Sequence, residues 1–146
     1  MRTDEPTGND VLLAAYRAAH YQVTGAPTPF VMRVGERSAQ LASVHRVHAV
    51  NCSAFITAWN PGSVSRPEDV NRASQVRLET ELTRLGVTFL AGIGQDPAGV
   101  WPGEPSVLAL GVSRSEAVRL GRAFDQRAIV WSGETAIPEL VILRAK

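Results

Sequence analysis

Residues 54–93 read AFITAWNPGSVSRPEDVNRASQVRLETELTRLGVTFLAGI and hold one complete strand–helix–strand unit. Ala54 to Trp59 is rich in β-formers and stops at Asn60-Pro61-Gly62, a turn signal. Ser65-Arg66-Pro67-Glu68 has capping-box spacing: the Ser oxygen meets an orphan N–H, and Glu reaches back three residues later. The helix it opens runs to Leu85 and stops at Gly86, a residue suited to the left-handed position after a helix. Val87 to Ile93 is the next strand.

Downstream, the stretch 106–131, SVLALGVSRSEAVRLGRAFDQRAIVW, has the same plan. Ser106 to Val112 reads as a strand, and Ser113-Arg114-Ser115-Glu116 as a second capping box opening a helix through Phe124. Ala128 to Trp131 is another strand. The order strand, helix, strand, strand, helix, strand predicts an α+β fold with a ferredoxin-like βαββαβ core and an antiparallel sheet. Upstream, Leu12, Tyr16, Ala19 and Val23 share one apolar face, which predicts a helix from Asp10 to Val23. Asn9 or Asp10 is placed to cap it, and Gly25 with Pro27 to end it. Phe30 to Val34 alternates as a half-buried strand does. After a turn at Gly35-Glu36-Arg37-Ser38, residues Gln40 to Val50 are expected to continue as strand, giving an N-terminal hairpin. Leu140 to Leu143 is the expected last strand. The chain reads as one domain, 1–146, with 1–9 a flexible tail.

A chain of 146 residues buries roughly 68–70% of its unfolded surface as a single domain. An apolar fraction of 45% with 20% charged residues is that of an ordinary globular protein. Net charge of +1 supplies no field for nucleic acid or an anionic membrane, so neither is expected as a partner. Lys146 is the only lysine, and the arginines are scattered along the chain. Cys52 is alone, which fits a reducing compartment. The opening MRTDEPTGND lacks the apolar stretch of a signal peptide, and no apolar run reaches the ~20 residues of a membrane span. A cytoplasmic location is the expectation.

The predicted topology acts on two similar motifs, Trp59-Asn60-Pro61-Gly62-Ser63 and Trp101-Pro102-Gly103-Glu104-Pro105-Ser106. Pro second and Gly third in a tight turn favour type II geometry, because Pro fixes φ and Gly accepts positive φ. With right-handed crossovers, both turns converge on one sheet edge, together with the Ser65-capped helix start, the loop 94–104 and Gln126-Arg127. Asn60 and Glu104 should then be neighbours. Asn71, Ser74, Leu78, Leu82 and Leu85 form one helical stripe, so an amide sits on the core-facing side. Buried amides are hydrogen-bonded, so Asn71 fastens the neighbouring turn or meets a ligand.

Glu104 is the candidate general base or ligand acceptor at that edge. Thr57, Ser63 and Ser106 show no paired base, so turn bonding accounts for their hydroxyls better than nucleophilic chemistry does. His45-x-x-His48 in a strand would point to opposite faces, which is poor ligand geometry, and no metal or cofactor is expected. His20 reads as a helix-face residue and Cys52 as a small buried hydrophobe. Gly92-Ile93-Gly94 is not a dinucleotide fingerprint, since Pro97 follows and no helix does. Arg119, Arg122 and Arg127 fit the dipole of a helix end. Trp59 and Trp101 could stack on a planar ligand or cover the loop.

Thr57-Ala58-Trp59-Asn60-Pro61-x-Ser63, then Asn71, Trp101-x-x-Glu104-Pro105-Ser106, and Phe124-Asp125-Gln126-Arg127-Ala128-Ile129-Val130 together resemble a bacterial family, domain of unknown function 3293. The resemblance covers roughly residues 10 to 131. The Thr-x-x-Asn-Pro and Glu-Pro-Ser elements are its specific parts. Asp125 departs from it, standing where a glycine is expected. The resemblance implies a small bacterial cytoplasmic protein, with Thr57, Asn60, Pro61, Asn71, Glu104, Ser106 and Gln126 in the family pattern. It implies no activity.

The leading expectation is a binding module for a small polar ligand at the edge formed by 57–71, 94–106 and 126–127. Thr57, Asn60, Ser63, Asn71, Glu104, Ser106 and Gln126 are its candidate contacts. Amides can both donate and accept, and Glu104 can accept from hydroxyl or amino groups. An enzyme using Glu104 as base, and a structural or interaction domain without ligand, are the alternatives.

Overall fold

The computed structural model describes residues 8–97 and 102–143. Its elements run α1 (Gly8–Ala18), β1 (His20–Val23), β2 (Phe30–Met32), α2 (Ala39–Val47), β3 (Ser53–Ile56), a 3-10 turn (Pro61–Ser63), α3 (Glu68–Arg84), β4 (Phe89–Gln95), β5 (Glu104–Leu110), α4 (Arg114–Ala123), β6 (Ala128–Ser132) and β7 (Glu139–Ile142). The strands make one antiparallel sheet in the order β2-β1-β4-β5-β3-β6-β7. The fold is therefore mixed α+β.

Strand alternation sends successive side chains to opposite faces and so makes two cores. Ala54 and Ile56, Val107 and Ala109, and Ile129 face α3 and α4, where they meet Leu78, Leu82, Ala117 and Leu120. Phe55, Leu108, Leu110 and Val130 face the other way, toward Tyr21, Val23, Phe30, Met32 and Leu41. On that second face the sheet curls until its ends are joined. The Gly35 N–H bonds the Pro138 carbonyl at 2.8 Å, and the Ser38 N–H bonds the Ala136 carbonyl at 2.9 Å. This concave face is packed by α2 rather than by α3 and α4, and a ligand-sized space lies on it.

Several expectations are corrected. The first helix ends at Ala18, and His20 to Val23 is strand β1. Tyr21 and Val23 both point inward there, and β1 pairs with β2 and with β4 across Tyr21↔Gly94. Long-range pairing outweighs the helical spacing of Val23. The hairpin is thus β1–β2, with Tyr21↔Met32 and Val23↔Phe30, and not 30–34 with 40–50. Residues 39–47 form α2, because Ser38 caps them: its Oγ accepts from the Leu41 N–H at 3.0 Å. Leu41 and His45, four apart, are the buried face of that helix. The Ser65 capping box does not form: α3 begins at Glu68 after Pro67, with no side-chain cap. Proline fixes its own φ and suits a helix start, so the first turn is set one residue before Glu68 without Ser65. The Ser113–Glu116 capping box forms in both directions. Gly86 takes the left-handed position, φ 75°. Leu85 is 50% exposed and leaves the stripe that Asn71, Ser74, Leu78 and Leu82 continue.

Candidate functional site

Where β3 and β5 run past one another, the end of one strand meets the beginning of the other, with Ile56 opposite Val107. The backbone leaving β3 reverses at once. Asn60 adopts a left-handed conformation, φ 46° and ψ 64°, which Asn tolerates better than most residues. The Ser63 N–H closes the turn on the Asn60 carbonyl at 2.9 Å, with Gly62 at φ 66°. Positive φ at the third position is what Pro61-Gly62 predicts. The second Pro-Gly behaves otherwise. Gly103 is not left-handed, and its value lies in space: a Cβ there would sit 2.7 Å from Ile93 Cγ2. Trp101 lies outside the described residues.

Two asparagines lock the first turn to α3. The Asn60 N–H bonds Asn71 Oδ1 at 2.8 Å, and Asn71 Nδ2 returns to Asn60 Oδ1 at 2.7 Å and to the Arg66 carbonyl at 3.2 Å. Asn60 Oδ1 also accepts the Arg66 N–H at 3.0 Å. Asn60 Nδ2 reaches across to Glu104 Oε2 at 3.0 Å. The two turns therefore meet, more than forty residues apart in the chain. Thr57 Oγ1 donates to the Pro105 carbonyl at 2.7 Å and accepts the Trp59 N–H at 3.0 Å. Ser106 Oγ donates to the Glu104 carbonyl at 3.0 Å. Gln126 Nε2 bonds the carbonyls of Phe124 at 3.2 Å and Trp59 at 3.4 Å. Thr57, Asn71, Ser106 and Gln126 thus hold backbone in place.

All seven candidate residues border one cavity of about 690 Å³ on the concave face. Its floor is Phe55, Thr57, Glu104, Ser106 and Gly94, its inner wall Tyr21, and its roof Leu12 and Tyr16 of α1. Trp59, Ser63, Arg66 and Arg72 line the side formed by the turn and the start of α3. Tyr16 and Ser63 join their hydroxyls across 47 residues, and the Tyr21 hydroxyl donates to the Tyr16 carbonyl at 2.5 Å, which pins α1 over the space. The Tyr21 and Phe55 rings meet edge to face at 5.3 Å. Arg72 lies 5.6 Å over the Trp59 ring and also pairs with Glu68 at 2.9 Å.

Glu104 is the odd member of this set. It is half-buried, and among the described residues its one hydrogen-bond donor is Asn60. None of the ion pairs includes it. Burial raises its carboxyl above the ordinary value, against a smaller lowering by the Asn60 amide. Burial raises Tyr16 as well, with the Ser63 hydroxyl and Arg127 opposing and the Glu104 charge adding to it. Tyr21 is raised by burial first, then by Tyr16 and Glu104.

The remaining sequence candidates fall elsewhere. His45 and His48 lie in and at the end of α2, not in a strand; His45 is buried with Nε2 on Ser53 Oγ at 2.8 Å, and His48 is exposed. Burial lowers the His45 value. Cys52 is half-buried, its thiol raised by burial and then by Glu116. Arg127 Nε bonds the Gly62 carbonyl at 2.9 Å and so braces the turn. Asp125, the departure from the family pattern, takes φ 56°, the left-handed region where glycine is expected. Sequence reasoning passed over Gln75, whose Oε1 accepts the Ala58 N–H at 2.9 Å. Its position four after Asn71 on the buried face was the available signal. Tyr16, Tyr21 and Phe55 carried no signal of proximity to the site.

Among known proteins, one family, described as "Protein of unknown function (DUF3293)", matches residues 56–129. That span begins inside β3 and ends inside β6, so it contains both turns, helices α3 and α4 and all seven candidate residues. No curated protein and no solved structure matches the chain.

Proposed function

The chain belongs to the DUF3293 family, and from that premise we propose that its concave cavity binds a small polar ligand, with Glu104 as the principal polar contact. One observation supports this above the others: Glu104 borders a space of about 690 Å³ and, among the described residues, has a single donor on its carboxylate. Such a volume falls within the range of small-molecule sites, which are apolar pockets with a few placed polar groups. Asn60 orients the carboxylate, and Asn71, Thr57, Ser106 and Gln126 make the walls rigid. Ser63 and Tyr16 offer hydroxyl groups at the roof. We take the β3-α3-β4-β5-α4-β6 run to be a ferredoxin-like core, a reading supported by the antiparallel order β4-β5-β3-β6. A cytoplasmic setting and the absence of a nucleic-acid or membrane partner belong to the same proposal, in keeping with the lone Cys52 and the net charge of +1.

A thermal-shift screen over neutral, anionic and cationic small molecules, followed by calorimetry, tests the reading. Binding that falls at least tenfold in Glu104→Gln is the expected result. A cavity that takes no member of any class would end it. The second reading is general-base chemistry by Glu104, favoured by its raised carboxyl in an open space. It predicts turnover of the bound ligand, detected by mass spectrometry and lost in Glu104→Gln while a bound product still shifts the melting temperature.

A further inference from the structure

We propose that the ligand of this cavity is a cation, an ammonium or amidinium group carried on a flat apolar body and seated on Glu104. The inference rests on the cavity being a ligand site, and it names the class. Taking a carboxylate out of water is costly unless it is paired or well hydrogen-bonded. Glu104 has one amide donor and, among the described residues, no cationic partner. Arg66 and Arg72 line the side of the cavity but neither pairs with Glu104. Arg72 is taken by Glu68 and the Trp59 face, and Arg66 lies in the exposed stretch before α3, while Arg127 bonds the Gly62 carbonyl. Among the described residues no cation completes the site, and we assign that charge to the ligand.

Space and wall chemistry agree with this. Directly across the ladder from Glu104 stands Gly94, where an added Cβ would find only Phe55 Cε1, at 3.9 Å. The cross-strand place beside the carboxylate is thus vacant of side chain. Tyr16, Tyr21, Phe55 and Trp59 border the same space, and aromatic faces attract cations while their apolar area covers a flat body. The Tyr16 and Ser63 oxygens can accept from ammonium hydrogens that Glu104 does not take.

The test uses the full chain and three probes of one shape: phenethylamine, phenethyl alcohol and phenylacetate, measured by calorimetry near neutral pH. The amine should bind about tenfold tighter than the alcohol, the difference between a charge-assisted and a neutral hydrogen bond. Phenylacetate should bind weakest. The amine's advantage should vanish in Glu104→Gln and persist in part in Glu104→Asp, which keeps the charge; circular dichroism establishes that both fold. Gly94→Ala, which fits the backbone without a clash, should weaken amine and alcohol alike. Equal or tighter binding of the alcohol or of phenylacetate overturns the cation assignment and leaves the cavity a ligand site. Failure of all three probes also overturns it. Whether the cavity binds anything is then decided separately by the wider screen of neutral and anionic compounds.

Discussion

Glu104 places a carboxyl group in a half-buried position, where Asn60 is its one amide donor among the described residues. Its raised carboxyl means that the folded state holds this proton more tightly than the unfolded chain does. The stabilisation from protonation is fully present below the unfolded value near 4.5 and is lost as pH rises through the folded value. Glu104→Gln, neutral at every pH and still able to accept from Asn60, should be more stable than the parent at neutral pH. Urea titrations at pH 7 and pH 4 decide it: the gain should shrink at the lower pH, and a loss at pH 7 would contradict the assigned burial. Asn71 is a different kind of residue, since its amide serves both the Asn60 N–H and the Asn60 side chain. Asn71→Ala orphans a backbone donor and should cost about 1–3 kcal/mol, read as a shifted urea midpoint at unchanged slope. The candidate residues stood out in the sequence because they combine rare turn chemistry with one amide on an apolar helical stripe. Their roles were not, since a hydrogen-bond partner forty residues away has no local signature.

Among the elements, two helices carried the same Ser-x-x-Glu spelling, and only one uses it. Ser113 Oγ accepts the Glu116 N–H at 3.2 Å, and Glu116 accepts the Ser113 N–H at 2.9 Å. At Ser65 the intervening Pro67 takes over the helix start, and the loop is held from outside by Asn60 and Asn71. Ser113→Ala should therefore cost about 1 kcal/mol, and Ser65→Ala close to nothing. Thermal denaturation of the pair measures this, and equal losses would contradict the assigned helix start. Strand β4 offers a second contrast. A Cβ at Gly92 would lie 2.7 Å from Phe55 Cε2 and 2.8 Å from the Gln22 carbonyl, so Gly92→Ala should destabilise by about 1–3 kcal/mol. Gly94→Ala, two residues on, should be nearly neutral by the same measurement. Helix α4 was legible from its cap, and α3 from its apolar stripe and the stop glycine Gly86. β1 and α2 were misread because four to nine residues of mixed apolar character suit either period, and long-range partners choose between them.

For the whole molecule, the decisive feature is that the sheet curls until the segment after β2 touches the segment before β7. The Gly35 and Ser38 N–H groups bond carbonyls more than ninety residues away. If this contact closes the concave face in solution, those two amides exchange as slowly as sheet amides such as Leu110, whose N–H bonds the Thr88 carbonyl at 2.8 Å. Hydrogen exchange read by NMR checks this; rapid exchange at both positions would mean an open sheet. The curl matters because it makes the sheet face concave, so that Tyr21 walls the space beside Glu104 while α1, held by Tyr16, roofs it. Among the described residues, no helix is long and apolar enough to cross a membrane.

By itself the sequence determined the central strands and helices and the left-handed Gly62 turn. Each follows from local rules: alternation, capping at Ser113, and the restricted φ of Pro beside the free φ of Gly. The meeting of Asn60 with Glu104 follows only once the strand order brings both turns to one edge. Tertiary structure alone decided that His20–Val23 extends as a strand, that 39–47 coils, and that α1 lies over the concave face. It also decided that most of the polar candidates are spent on holding backbone, leaving the Glu104 carboxylate facing the cavity. These outcomes depend on which distant groups arrive to satisfy a given N–H or carbonyl, and that depends on the folded sheet rather than on neighbouring letters.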